Sequence, residues 1–167
     1  MKNEILIDLE NVNIVGNVLD IGFCNYGIAY SLFKNRADEV SVDYVEGKDA
    51  TKHIEEDFYD TCIIFFCLSG MGLKSNRKKI LLEAIKHLKI GGIVHIWDLD
   101  KPRGRIFRGK LKVVLPGNIY KNITITDVNI AKDASFVSTK EIVEKYFEIM
   151  EHNNWDKVYC IKGKKIK

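Results

Sequence analysis

The sequence predicts an α/β fold built on one mostly parallel sheet, and three observations carry that reading. Short β-type apolar runs alternate with stretches of helical periodicity; two of those runs stop on acids; and the middle runs are apolar on consecutive residues, as strands buried on both faces are. After Asp100 the pattern changes to a half-exposed hairpin, an insertion in the α/β series, before the chain closes on a helix and two further strands.

In residues 1–17, Ile5, Ile7 and Leu9 alternate with polar residues, which predicts a small strand or an irregular cap. Val18 to Ile21 is strand one. Ile28, Ala29, Leu32 and Phe33 have helical spacing, and that helix is expected to fade by Asn35 or Arg36. Val40, Val42 and Asp43 form a second strand ending on an acid. Only sixteen charge-rich residues separate Asp43 from Asp60, too few for another helix, strand and helix, so a unit of the α/β series is missing there. Thr61 to Leu68 reads as a strand buried on both faces, followed by a flexible loop, Ser69-Gly70-Met71-Gly72.

Ser75 is the expected N-cap of the next helix. Its Leu81, Ala84, Ile85 and Leu88 share one face, and Gly91 is the expected stop. Ile93 to Trp97 is a buried strand that delivers Asp98 and Asp100 to its end. Leu111–Leu115, a Pro116-Gly117-Asn118 turn, and Ile123, Ile125, Val128 and Ile130 make the hairpin. Ser138-Thr139-Lys140-Glu141 is a capping box for a last helix carrying Ile142, Val143 and Tyr146. Phe147 to Met150 either extends that helix or begins a strand, and Asn153-Asn154 turns into a final strand over residues 157–161.

The 167 residues suit a single domain with one full core, within which residues 101–130 form a basic insertion. No apolar run approaches the roughly 20 residues of a membrane span, and the acidic start lacks a signal-peptide core, so a cytoplasmic location is expected. Cys24, Cys62, Cys67 and Cys160 form no CxxC pair and read mainly as small buried hydrophobes. The scattered His53, His87, His95 and His152 predict no metal site, and His95, inside its strand, reads as a core residue.

Chemistry concentrates at Val18 to Gly27, VLDIGFCNYG. A strand carrying a carboxylate and turning sharply at Gly22 brings main-chain N–H groups to one point, where a ligand can be gripped by backbone. The plain alternative is an ordinary βα turn. Spacing to the rest of the chain favours the ligand: Asp20 with Gly22 after strand one, Asp43 after strand two, and Leu88-Lys89-Ile90-Gly91-Gly92 before the strand ending at Asp98. Together these resemble the class I, Rossmann-like S-adenosylmethionine-dependent methyltransferases, with their DxGxGxG loop, strand-two acid and LKPGG turn, over nearly the whole chain. The closing helix and two strands are similar to the family's antiparallel end hairpin.

The resemblance implies S-adenosylmethionine as cofactor, Asp43 as its ribose ligand, Asp20, Gly22, Phe23, Cys24, Asn25, Tyr26 and Gly27 as the wall of its methionine end, and Asp49 as an adenine-side acid. The chain departs from the family where Cys24 and Tyr26 replace glycines. Ser69, Met71, Trp97, Asp98 and Asp100 lie at the carboxyl ends of middle strands, where open α/β sheets take ligands. Ser69 is assigned to the cofactor, Asp98 to general-base or acceptor contact, and Met71, Trp97 and Asp100 to the acceptor. The basic stretch with Arg103, Arg105 and Arg108 is either a solvated loop or a lid for a small anionic acceptor or RNA. The resulting function is methyl transfer. Its rivals are a binding or regulatory module that has lost activity, and a dinucleotide or nucleotide-sugar protein, against which LKIGG and the absence of GxGxxG both count.

Overall fold

In a computed structural model of the protein, which describes residues 4–24, 26–33, 42–46 and 54–167, the strands sort into two sheets. The described elements are β1 (Glu4–Asp8), β2 (Val18–Gly22), α1 (Ile28–Phe33), β3 (Val42–Glu46), β4 (Tyr59–Phe65), a single 3-10 turn (Leu68–Gly70), α2 (Lys74–His87), β5 (Leu88–Leu99), β6 (Phe107–Leu115), β7 (Ile119–Asp127), α3 (Phe136–Val143), β8 (Phe147–Trp155) and β9 (Val158–Lys165). The large sheet has the order β3-β2-β4-β5-β9-β8, parallel from β3 to β5 and antiparallel through β9 and β8. The small sheet is β1-β6-β7, in which the leader strand runs parallel to the first strand of the hairpin.

Side-chain alternation along the strands decides which layer each residue faces. On one side of the large sheet, Leu19, Ile21, Cys62, Ile64, Val94 and Ile96 pack under α2 and α3. On the other, Val18, Ile63, Phe65, Trp97 and Leu99 pack against Ile5, Ile7, Leu111, Val113 and Ile123 of the small sheet and against α1. The leader is therefore a strand, and it covers a sheet face together with the hairpin. Among the described residues, β3 is the edge of the large sheet, in keeping with the short segment after it.

Several boundaries differ from the sequence reading, each for a local reason. β3 continues three residues past Asp43 to Glu46; Val40 lies outside the described residues. β4 stops at Phe65 because Phe66 takes a positive φ of 48° and turns the chain. The segment after it is no flexible loop: Ser69 and Met71 are buried. α2 starts at Lys74 with Leu73 as N-cap, and no side chain caps it; Ser75 sits exposed in its first turn. Its buried Arg77 reaches the carbonyl of Asp133 at 2.6 Å, a tertiary bond that ties the first turns of the helix to the segment before α3.

The same helix ends at His87, and Leu88 already pairs with Tyr59. Gly91, at φ 81°, and Gly92 lie at a register shift in β5 instead of at a helix stop. A Cβ on Gly92 would come within 2.8 Å of the Lys89 carbonyl. α3 is capped by Ser135, whose hydroxyl accepts the Ser138 N–H, so the chain enters the helix earlier than the capping box indicated. Phe147 begins a strand, the hairpin's second strand ends at Asp127 before Val128 and Ile130, and the last turn is Asp156-Lys157, both at positive φ, with Asn153-Asn154 inside β8.

Candidate functional site

The parallel strands β2, β3 and β4 deliver their carboxyl ends to one edge of the large sheet, and the loop after β2 lies across it. Gly22 is in register with Glu46, so the acid at the tip of β3 is Glu46. Asp43 is level with Leu19, deeper in the sheet, and accepts the Tyr59 hydroxyl at 2.7 Å. Tyr44, between them, donates to the Gly22 carbonyl at 3.2 Å and props the loop from below. Asp20 pairs with Tyr44 on one side and Ile63 on the other, and burial pushes its carboxyl up to about 6.

Beyond Gly22 the loop exposes Phe23 and Cys24 and then folds back. Tyr26 is half-buried with its ring edge-on to Phe65, centroids 6.3 Å apart. Burial, reinforced by Cys24 and Asp98, pushes its hydroxyl up to about 12, so it stays protonated. Tyr26 thus packs against the core beneath the loop and does not line the cavity that opens beside it. Gly27 has φ 63°, and its carbonyl accepts Ser31 Oγ at 2.7 Å. From β7 of the hairpin, Lys121 Nζ donates to the carbonyls of Tyr26 (2.6 Å) and Gly27 (3.2 Å), and a Cβ on Gly27 would lie 2.9 Å from that nitrogen.

The 3-10 turn after β4 forms the opposite bank. Asp98 is fully buried beneath it: Oδ2 accepts the Ser69 N–H at 3.0 Å and Oδ1 the Leu99 N–H at 2.7 Å. Burial holds its carboxyl above the usual carboxylate range, and those hydrogen bonds oppose the shift. The buried Lys132 ammonium donates to the Ser69 carbonyl and pairs with Asp127 at 2.5 Å. Between the two banks opens a cavity of about 670 Å³ lined by Phe23, Gly70, Met71, Gly72, Asn76, Lys79 and Ile80.

The structure therefore brings together Asp20, Gly22, Phe23, Cys24, Tyr26, Gly27, Ser69 and Met71 along one edge. Asn25 and Asp49 lie outside the described residues. Asp43 does not reach the edge. Asp98 is no base facing an acceptor, because main-chain donors occupy both its oxygens. Asp100 also serves the fold, accepting the Phe136 N–H at 2.8 Å at the start of α3 and the Asn154 amide at 2.7 Å. Trp97 stands on the sheet face, stacked on His95 at 5.5 Å. Arg103, Arg105 and Arg108 are exposed and none lines the cavity beside the glycine loop.

Sequence reasoning missed Glu46, Tyr44 and Lys121. Glu46 had a signal, since VDYVE extends the β-type alternation beyond Asp43. Lys121 had none, because its partner lies ninety-odd residues away. Among the described residues no cluster of His, Cys, Asp or Glu is arranged to hold a metal, and no helix is long and apolar enough to cross a membrane.

No family model matches the sequence, and no curated protein does. Solved structures do match in fold. An amino pentose methyltransferase from Micromonospora echinaspora with S-adenosylmethionine bound superposes with a TM-score of 0.59 at 11% identity, over 90% of this chain and 83% of that one. A methyltransferase from Methanosarcina mazei gives 0.56 at 12% identity over 90% and 92%. A 1,6-didemethyltoxoflavin N1-methyltransferase from Burkholderia thailandensis, with S-adenosylhomocysteine bound, gives 0.56 at 12% over 91% and 72%. The chain has the class I, Rossmann-like fold of S-adenosylmethionine-dependent methyltransferases.

Proposed function

We propose that the protein is an S-adenosylmethionine-dependent methyltransferase acting on an anionic acceptor. The observation that carries this is that the loop following the Gly22 turn contributes Phe23 to a 670 Å³ cavity completed by the turn after β4 and the start of α2. That volume lies within the range of about 300–1,000 Å³ usual for small-molecule sites. The donor set suits an adenosyl group. Phe23 offers an exposed ring, Asn76 an amide and Gly70 and Gly72 a wall without side chains, while the acid for ribose hydroxyls would come from Glu46, the residue in register with Gly22 at the end of β3. When bound, S-adenosylmethionine supplies a methyl group already activated on its sulfonium.

The chain's own contribution is then positioning. Lys121 and Tyr44 hold the loop carbonyls of Tyr26, Gly27 and Gly22, which fixes where loop N–H groups point. Tyr26 stays protonated beside the loop, and the exposed Arg103, Arg105 and Arg108, outside the cavity lining, add positive charge to the protein's surface that draws a substrate with negative charge by long-range attraction.

Calorimetric titration with S-adenosylhomocysteine tests this reading. Binding is expected, with Glu46→Gln weakening it about tenfold or more, as loss of hydrogen bonds to a charged group does. Asp43→Asn should leave affinity nearly unchanged and lower stability through the Tyr59 bond. Absence of both heat and thermal stabilisation at millimolar ligand would overturn the assignment. The second reading, a binding module without transfer activity, is favoured by the burial of Asp98, which removes that carboxylate as a base facing an acceptor. Labelled methyl appearing on a defined acceptor at ordinary turnover would exclude it.

A further inference from the structure

The face of the small sheet turned away from the core has a composition that methyl transfer does not explain. In β6 the residues alternate between Phe107, Leu111, Val113 and Leu115, which are buried, and Arg108, Lys110, Lys112 and Val114, which face outward. Neighbouring positions of β7 are Thr126 opposite Arg108, Thr124 opposite Lys110, Asn122 opposite Lys112 and Tyr120 opposite Val114. Tyr120 is 60% exposed, with Lys112 Nζ 4.9 Å from its ring centroid. One strand thus carries a row of cations and the next a row of hydrogen-bonding groups ending in an open ring.

Lys74, Lys86, Lys89, Lys132, Lys140, Lys162 and Lys165 each pair with an acid, whereas Arg105, Arg108, Lys110 and Lys112 make no ion pair among the described residues. What sets the cations of this row apart is their alignment along one strand, since Lys78, Lys79, Arg103 and Lys145 also make no ion pair among the described residues. Outward residues two apart on a strand stand about 6.8 Å from one another, close to the repeat of an extended polynucleotide backbone. The acids of this face, Glu4 and Asp8, are on β1, on the far side of β6 from β7. They repel phosphates from that side, so a polyanion lies along β6 with its attached groups directed over β7. Asp156 and Lys157 flank Arg108 and cancel each other.

We infer that the outer face of β6 and β7 binds single-stranded nucleic acid, with phosphates along Arg108, Lys110 and Lys112 and bases over Thr124, Asn122 and Tyr120. An unpaired strand is required because an exposed ring such as Tyr120 can stack only on a base that is free of its complement. This inference is independent of methyl transfer: it predicts binding with or without cofactor.

Fluorescence anisotropy of the full chain with labelled twelve-nucleotide oligouridylate, oligothymidylate and a duplex of the same length tests it. Micromolar binding at low salt is expected for both single strands. The slope of log K against log salt should be roughly −2, since each phosphate contact on a single strand contributes about −0.7. Lys110→Glu/Lys112→Glu should weaken binding at least tenfold and flatten that slope. The same charge change on the helical layer, Lys78→Glu/Lys145→Glu, should cost less than threefold. Tyr120→Ala should weaken binding about fivefold or more at unchanged slope, and Glu4→Gln/Asp8→Asn should tighten it. Circular dichroism verifies that each variant is folded. No anisotropy change at 100-fold the low-salt micromolar range, equal losses in the two double variants, or tighter binding of the duplex would each overturn the inference. So would an unaltered Tyr120→Ala, which would leave only a general polyanion surface.

Discussion

Asp20 and His95 make opposite demands on pH. Burial raises the Asp20 carboxyl to about 6, so between its ordinary value near 3.8 and 6 the folded chain holds a proton that the unfolded chain has lost, and stability falls as pH rises through that window. Burial, with Lys162 nearby, lowers His95 to about 4. Between 6.5 and 4 the unfolded chain binds the extra proton, and stability falls as pH drops. Each effect is worth about 3 kcal/mol and the windows overlap, so they largely cancel between pH 4 and 6. Urea denaturation across that range should therefore be nearly flat for these groups in the native sequence. Asp20→Asn should reveal a stability that rises with pH, gain roughly 1–3 kcal/mol at pH 7.5 and lose affinity for S-adenosylhomocysteine. A flat profile in Asp20→Asn would contradict the assignment. In the sequence Asp20 and Asp98 look alike, each an acid near a strand end. Only the turn that sends the Ser69 N–H back into the protein separates the structural one from the one at the loop.

Among the elements, helix ends were the least legible, because tertiary bonds override capping chemistry. Ser135→Ala should cost about 1 kcal/mol by thermal denaturation, the usual worth of an N-cap, whereas Ser75→Ala should change stability by less than about 0.5 kcal/mol. Equal costs would mean that Ser75 caps α2 after all. Strands were read better than helix ends, since continuous apolar runs mark VLDIG and TCIIF as strands buried on both faces. β6 nevertheless begins at Phe107, four residues before the expected Leu111, because its first residues alternate a buried Phe107 with exposed Arg108 and Lys110. What the pattern does not contain is where a strand stops. VDYVE runs on past Asp43, and the three extra residues move the acid at the tip from Asp43 to Glu46. LKIGG was recognisable as a motif, yet its glycines serve a shift in strand register, something no local pattern of residues announces.

At the scale of the molecule, the two sheets share one core. Leu111 of the hairpin, Ile7 of the leader and Trp97 of the large sheet are all buried in it. Leu111→Ala should therefore cost about 2–5 kcal/mol and lower the whole transition, with far-UV circular dichroism and tryptophan fluorescence remaining superimposable in urea. A separate early transition confined to one probe would show that the small sheet unfolds alone. The α/β plan and its missing unit could be read from the order of runs and the short segment after Asp43. The pairing of β1 with β6 could not, because it joins residues about a hundred apart and leaves only an ordinary alternation in each strand.

Lys121 gives that arrangement a thermodynamic consequence. Its ammonium ties β7, whose outer face is proposed to hold a polynucleotide, to the carbonyls of Tyr26 and Gly27 at the proposed cofactor edge. Any ligand that shifts one end of this tie alters the free energy of the other, and linkage makes the effect reciprocal. The factor by which S-adenosylhomocysteine changes oligonucleotide affinity must equal the factor by which the oligonucleotide changes that of S-adenosylhomocysteine. Lys121→Met should bring both factors toward one while leaving each ligand able to bind alone.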